Sequence, residues 1–249
     1  LSVLFKNIKV YNYVHSNYEL KSFILRKVLT DNLIEKYIFV SQSSFEVQKA
    51  YVDQEKIIVI ENKIDTRRFY YDDVKRVTTR KLLGIEASEK VFIIAGRLEK
   101  EKKISEVIDL WITNEINHRL IIVGDGSLKK ILKKQITRFN TSIHILDPVN
   151  NIEDYYNASD VLISNSTDES FGLVILESLN CGCKVFSALG PHTSIFKKYE
   201  RFSVYKNKNM LLSLIVSLED LSNQNLYRRR EYSKSNIQSD ATILQELKL

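Results

Sequence analysis

The chain has 249 residues, 44% hydrophobic and 27% charged, which supplies core for one large or two small domains. It contains no apolar run near the ~20 residues needed to span a bilayer and opens on no signal peptide, so a cytoplasmic location is expected. The net charge of +6 comes from 37 basic against 31 acidic residues, without the aromatic-basic interleaving of RNA-binding surfaces, and nucleic acid is not an expected partner.

The first sixty residues read as a helix over Glu19 to Glu35, a strand Ile38 to Ser41, a helix Ser43 to Tyr51 and a strand Ile57 to Ile60. Ser41 stands where a cap is needed. A charged segment without proline, Asp72 to Gly84, suits an exposed linker helix. Strands and helices then alternate: Val91 to Ala95, Ser105 to Asn114; Leu120 to Val123, Leu128 to Arg138; Ile143 to Leu146, Ile152 to Asn157; Val161 to Ser164, Gly172 to Cys181. A strand Lys184 to Ser187, the Gly190-Pro191 turn, a helix toward Tyr199, a short strand Ser203 to Tyr205 and C-terminal helices close the chain. Apolar strand runs with helical crossovers predict a doubly wound, mostly parallel α/β sheet, with ligand beyond the carboxyl ends of its strands.

The stretch Ser159 to Ser187 carries two acids. Glu169 lies in a polar loop, and Glu177 lies about one and a half turns into the next helix, roughly 8 Å along its axis at ~1.5 Å per residue. Either could be an ordinary solvated charge, but the neighbours Leu173, Val174, Ile175, Leu176 and Leu179 leave Glu177 little water, so it needs partners. The Phe171-Gly172 corner exposes backbone N–H groups at a helix start, a place that favours an anion such as a diphosphate. Arg97 and Lys102 follow the strand Val91 to Ala95 and are either solvent-facing or part of that anion site. Gly124 and Gly126 in IIVGDGSL make a left-handed turn or a ligand contact; the third glycine of a dinucleotide fingerprint is missing. His15 is structural or sits at a cleft. Cys181, Cys183 and the scattered His118, His144 and His192 do not make a zinc set. Basic doublets such as Lys102-Lys103, Lys129-Lys130, Lys133-Lys134 and Lys197-Lys198 are solvated faces, or a weak attraction for an anionic membrane.

Ser166, Glu169, Ser170, Phe171, Gly172, Glu177, Cys181 and Gly182 together resemble the donor-site signature of the retaining GT-B glycosyltransferases, glycosyl transferases group 1, which includes glycogen and sucrose synthases and bacterial capsule and lipopolysaccharide transferases. Gly96-Arg97-Leu98 with Lys102 is similar to that family's diphosphate clamp, and IIVIENKID (Ile57 to Asp65) to its crossover between halves. Ser170, Lys103, Lys63 and Lys184 depart from it, standing where relatives carry Gly, Gly, Gly and Pro. The resemblance implies a GT-B type fold: a Rossmann-like donor domain over residues 63–222, a partial acceptor-side domain over 1–62 and a C-terminal helical segment over 223–249. A full Rossmann-like half needs about a hundred residues or more, and the chain starts at Leu1, so the N-terminal portion is expected to be incomplete.

The implied function is transfer, with retention, of a hexose-type sugar from a UDP- or GDP-linked donor to a glycan, lipid-linked or protein-linked acceptor, in polysaccharide or glycoconjugate synthesis. Glu169 would contact the sugar, Arg97 and Lys102 the diphosphate, and Glu177 the ribose, with Gly96, Ser170, Phe171, Gly172 and Leu173 completing the donor site. No Asp-x-Asp pair occurs, so no metal is expected, and no cofactor beyond the nucleotide sugar as co-substrate. Peripheral contact with the inner face of the cell membrane is a further expectation. The alternatives are a sugar-nucleotide-binding fragment or subunit that needs a partner chain, and a nucleotide-sugar epimerase.

Overall fold

The structure, a computed structural model, describes residues 10–14, 34–137, 139 and 142–218. Strands β1 (Val10–Val14), β2 (Ile34–Phe39) and β3 (Ile57–Val59) form a small parallel sheet in that order, and α1 (Gln42–Gln48) links β2 to β3. The second sheet is also parallel and has the order β6-β5-β4-β7-β8-β9, from β4 (Val91–Ala95), β5 (Arg119–Val123), β6 (Ile143–Leu146), β7 (Val161–Ser164), β8 (Lys184–Ala188) and β9 (Phe202–Tyr205). Its helices are α2 (Asp73–Leu82), α3 (Ile104–Thr113), α4 (Lys129–Ile136), α5 (Ile152–Ala158), α6 (Leu173–Asn180), α7 (Thr193–Phe196) and α8 (Lys208–Val216).

This second sheet reads as continuous apolar runs because helices cover both of its faces. Phe92, Ile94, Leu120 and Ile122 point to one side, against Trp111 of α3 and Leu211 and Ile215 of α8. Val91, Ile93, Ile121 and Val123 point to the other, against Tyr156, Ile175, Leu176 and Leu179. Val40, Ile64 and Phe69 join that second cluster, so the chain entering from the small sheet packs on the large one. At ~25 cal/mol per Å² such double-sided burial is the main stabilising contribution.

A buried charge cluster holds the amino-terminal ends of the strands. Asp160, just before β7, accepts from the Arg76 guanidinium at 2.8 Å and from the Val91 backbone N–H at 2.9 Å. Arg76 also donates to the carbonyls of Asn157 and Ala158, at 3.0 and 3.2 Å, and Arg80 to that of Ala158 at 2.9 Å. Every buried charge there has a partner, which is what makes burial tolerable.

Three expectations change. Ile34 and Glu35 belong to β2, whose parallel pairing with β1 already begins at Ile34 opposite Val10, so the expected helix cannot extend to Glu35; the rest of that helix, His15 and the segment 223–249 lie outside the described residues. Strand β1 was not anticipated. Gly124 and Gly126, at φ 159°, do not form a left-handed turn. They are small because two loops cross: a Cβ on Gly124 would stand 1.9 Å from the Gly96 carbonyl oxygen, and one on Gly126 would stand 2.6 Å from that of Leu98. Among the described residues no helix is long and apolar enough to cross a membrane.

Candidate functional site

Chain order reverses between β4 and β7, where the strands run outward on either side, and such a switch point leaves a crevice beyond the carboxyl ends. Two adjoining hollows occupy it, sharing Ala95, Arg97 and Val174. The larger, of about 430 Å³, is lined by Gly96, Gly124, Pro148, Val149, Ile152, Tyr156 and Glu177. The smaller, of about 20 Å³, takes in Lys102, Ser166 and Glu169. Arg97, Lys102, Glu169 and Glu177 thus surround one crevice, with Val174 of the first turn of α6 between its halves.

Gly172 sets the entry to α6. At φ 92° it occupies a conformation that costs an L side chain dearly, and a Cβ there would press on Ile175 at 3.0 Å. The N–H groups of Leu173 and Val174 therefore have no acceptor inside the helix. Phe171, expected among the ligand-binding residues, turns its ring into the core, edge-on to Phe196 at 5.9 Å, and, like Ser170 and Gly172, lines neither hollow. The Ser170 carbonyl accepts from the Ser41 hydroxyl at 2.5 Å, tying the α1 cap to the loop that carries Glu169. Leu173 is exposed on the first turn and lines neither hollow.

Both basic residues are paired with acids. The Lys102 ammonium lies on the Glu169 carboxylate, and the Arg97 guanidinium, 72% exposed, lies 2.9 Å from Glu101. An exposed pair of the latter kind is worth only ~0–1 kcal/mol, so little holds Arg97 in place. Lys103, where relatives carry Gly, accepts φ 48°; its ammonium donates to Thr167 Oγ1 at 3.0 Å and its carbonyl accepts from the Asn165 amide at 2.9 Å. Ser170 and Lys63, the other residues in place of Gly, are not among the positive-φ residues and need no such conformation.

Glu177 is the half-buried acid of the larger hollow. Burial raises its carboxyl above the ordinary range, opposed by the Tyr156 hydroxyl that donates to it at 3.1 Å and by the charge of Arg68. Burial likewise pushes the Tyr156 phenol well up. Arg68 reaches Glu153 at 2.9 Å and the Asn150 carbonyl at 2.6 Å, bracing the loop that holds Pro148 and Val149. His192, fully buried near Glu169 and Lys102, shares a hydrogen bond with Ser187 at 3.1 Å and is held at about 4, chiefly by burial.

Tyr156, Arg68, Pro148, Val149 and His192 were not picked out from the sequence as site residues. The signal for Tyr156 was its place on a predicted helix preceding the Glu177 segment; the contact itself spans 21 positions. Arg68 was visible only as one of a basic pair after the crossover.

A parallel doubly wound sheet with a cationic loop and an acid-bearing helix at its switch point defines the nucleotide-binding half of a GT-B fold. The chain belongs to the glycosyl transferases group 1 family, whose model matches residues 75–235. It is similar to N-acetyl-alpha-D-glucosaminyl L-malate synthase of Bacillus anthracis, 30% identical over 138 residues, 51% of this chain and 34% of that protein. It is also similar to UDP-Gal:alpha-D-GlcNAc-diphosphoundecaprenol alpha-1,3-galactosyltransferase of Escherichia coli, 30% identical over 185 residues, 70% of this chain and 48% of that protein. The solved structure of Anabaena Alr3699/HepE with UDP and glucose superposes with a TM-score of 0.80 over 94% of this chain and 67% of that one; at 23% identity this shows the fold. The chain spans about a third to a half of the length of the curated relatives it matches.

Proposed function

We propose that this chain is the donor-binding part of a retaining glycosyltransferase that moves a hexose-type sugar from a UDP- or GDP-linked donor to a glycan, lipid-linked or protein-linked acceptor in glycoconjugate synthesis. The observation that carries the reading is the gathering of Arg97, Lys102, Glu169 and Glu177 around one crevice. The nucleoside fits the larger, mostly apolar hollow, with its ribose hydroxyls on Glu177. The diphosphate lies over Val174 at the start of α6, where backbone N–H groups and the helix dipole favour an anion.

Bond breaking at the sugar leaves charge on the diphosphate, and Arg97 and Lys102 stabilise that charge more strongly in the transition state than before it. Lys102 must leave Glu169 to do so, which releases the carboxylate to orient the sugar. The acceptor hydroxyl then attacks the face that the diphosphate departs from and passes its proton to the leaving oxygen, so the anomeric configuration is kept. Charge compensation by Arg97, Lys102 and the helix start supports a reaction without a metal.

The test is calorimetric titration with UDP, GDP and their hexose conjugates, then turnover on lipid-linked glycans with and without a chelator. Lys102→Ala is expected to lower turnover by roughly 10²- to 10³-fold. Failure of every nucleotide to bind sinks the reading. The alternative reading is a non-catalytic sugar-nucleotide-binding fragment or subunit that acts with a partner chain; binding without any turnover, hydrolysis included, decides for it.

A further inference from the structure

A second concavity lies beside the donor crevice, between α3 and α8 at the carboxyl ends of β7, β8 and β9. Its volume is about 110 Å³, against about 430 Å³ for the nucleoside hollow, which suits one small polyatomic ion and not a nucleotide. Lys103, Lys206 and Lys208 line it, facing a single carboxylate, Glu106. Glu106 is itself 3.4 Å from the Asn165 amide. Neither Lys206 nor Lys208 is ion-paired among the described residues. Lys133 and Lys134 on α4, by contrast, are exposed on a helix face.

We infer that this hollow binds a phosphate group through Lys103, Lys206 and Lys208. Three ammonium groups against one carboxylate leave an excess of positive charge at a concave surface, which concentrates anions there. Hydrogen-bonding side chains also line it in Thr167 and Asn207, so a tetrahedral oxyanion finds donors as well as charge. Lys103 lines the hollow from the residue just before α3, at φ 48°. The site is separate from the diphosphate position at Arg97 and Lys102, although Asn165 lines both this hollow and the sugar end of the crevice. A phosphate held here stands next to the loop that carries Glu169, where a phosphomonoester on an acceptor and free inorganic phosphate would be bound by the same groups.

The experiment uses the full chain and isothermal titration with inorganic phosphate, with and without saturating UDP, on the wild type, Lys206→Ala/Lys208→Ala and Lys206→Arg/Lys208→Arg. The expected result is one phosphate bound with UDP present, at least tenfold weaker in the alanine variant and largely restored in the arginine variant, while UDP affinity stays within twofold in both. Glycerol 3-phosphate binding more tightly than phosphate assigns the site to an ester-borne group, and equal affinity assigns it to the free ion. Competition between phosphate and UDP on the wild type, unchanged phosphate affinity in the alanine variant, or a parallel loss of UDP binding overturns the inference. If UDP does not bind at all, the donor reading fails, and the comparison of phosphate affinities without UDP still decides this one.

Discussion

Glu177→Gln separates what the acid does for a ligand from what it does to the fold. Its carboxyl is raised above the ordinary 4.5 by burial, with the Tyr156 hydrogen bond and Arg68 opposing. A group whose folded pKa is raised contributes stability that is present below the unfolded pKa and lost as pH rises through the folded one, so near neutral pH the ionised Glu177 destabilises the chain. Glutamine has nearly the same shape, still accepts from Tyr156 and carries no charge. The melting temperature of Glu177→Gln at pH 7 is therefore expected to equal or exceed that of the wild type, with the difference closing as pH falls toward 4.5. Binding moves the other way. Hydrogen bonds to a charged acceptor are worth ~1.5–3 kcal/mol against ~1 kcal/mol for neutral ones. A loss of about 1 to 1.5 kcal/mol on the ribose weakens UDP roughly five- to tenfold. Thermal melts at the two pH values and calorimetry with UDP read both effects. Unchanged UDP affinity would remove Glu177 from the ribose end, and a large fall in melting temperature at pH 7 would refute the argument from burial.

His192 gives a pH dependence of the opposite sign. Its folded pKa of about 4 lies below the ordinary 6.5, so the unfolded chain takes up a proton that the folded chain refuses, and stability is lost as pH falls from 6.5 toward 4. At ~1.36 kcal/mol per unit the loss approaches about 3 kcal/mol, and urea midpoints should fall more steeply for the wild type than for His192→Asn; parallel slopes would show the native imidazole already charged. Gly124→Ala places a methyl 1.9 Å from the Gly96 carbonyl oxygen and should cost at least ~2–3 kcal/mol in urea unfolding. Gly84→Ala, at φ 60° with no neighbour within 4 Å, should cost only about 1 kcal/mol, and equal losses for the two would deny that the loops press together.

The large sheet was legible because each strand is a short apolar run bounded by polar or glycine residues, and β4, β6 and β7 stand where that pattern ends. The gathering of Arg97, Lys102, Glu169 and Glu177 was expected from the resemblance of two motifs to a known family, and those motifs follow strands that are neighbours in the sheet. What stayed hidden depends on contacts distant in sequence. Phe171 looked like part of a ligand corner, yet its ring pairs with Phe196, 25 positions on. The glycines after β5 looked like turn residues, whereas their need for smallness comes from the Gly96 to Leu98 loop crossing over them. His192 carried no local signal at all; only the packing of β8 and α7 encloses it. In β2 a helix period was read through Ile34 and Glu35 where the pairing with β1 imposes a strand.

The anchoring of Asp160 by Arg76, Arg80 and Val91 sits at the rim opposite the crevice. Cohesion and recognition are consequently assigned to different ends of the same strands. Loops such as 165–172 can exchange length and composition while the far rim keeps the strands in register, which lets one scaffold acquire new ligand preferences without having to find its fold again.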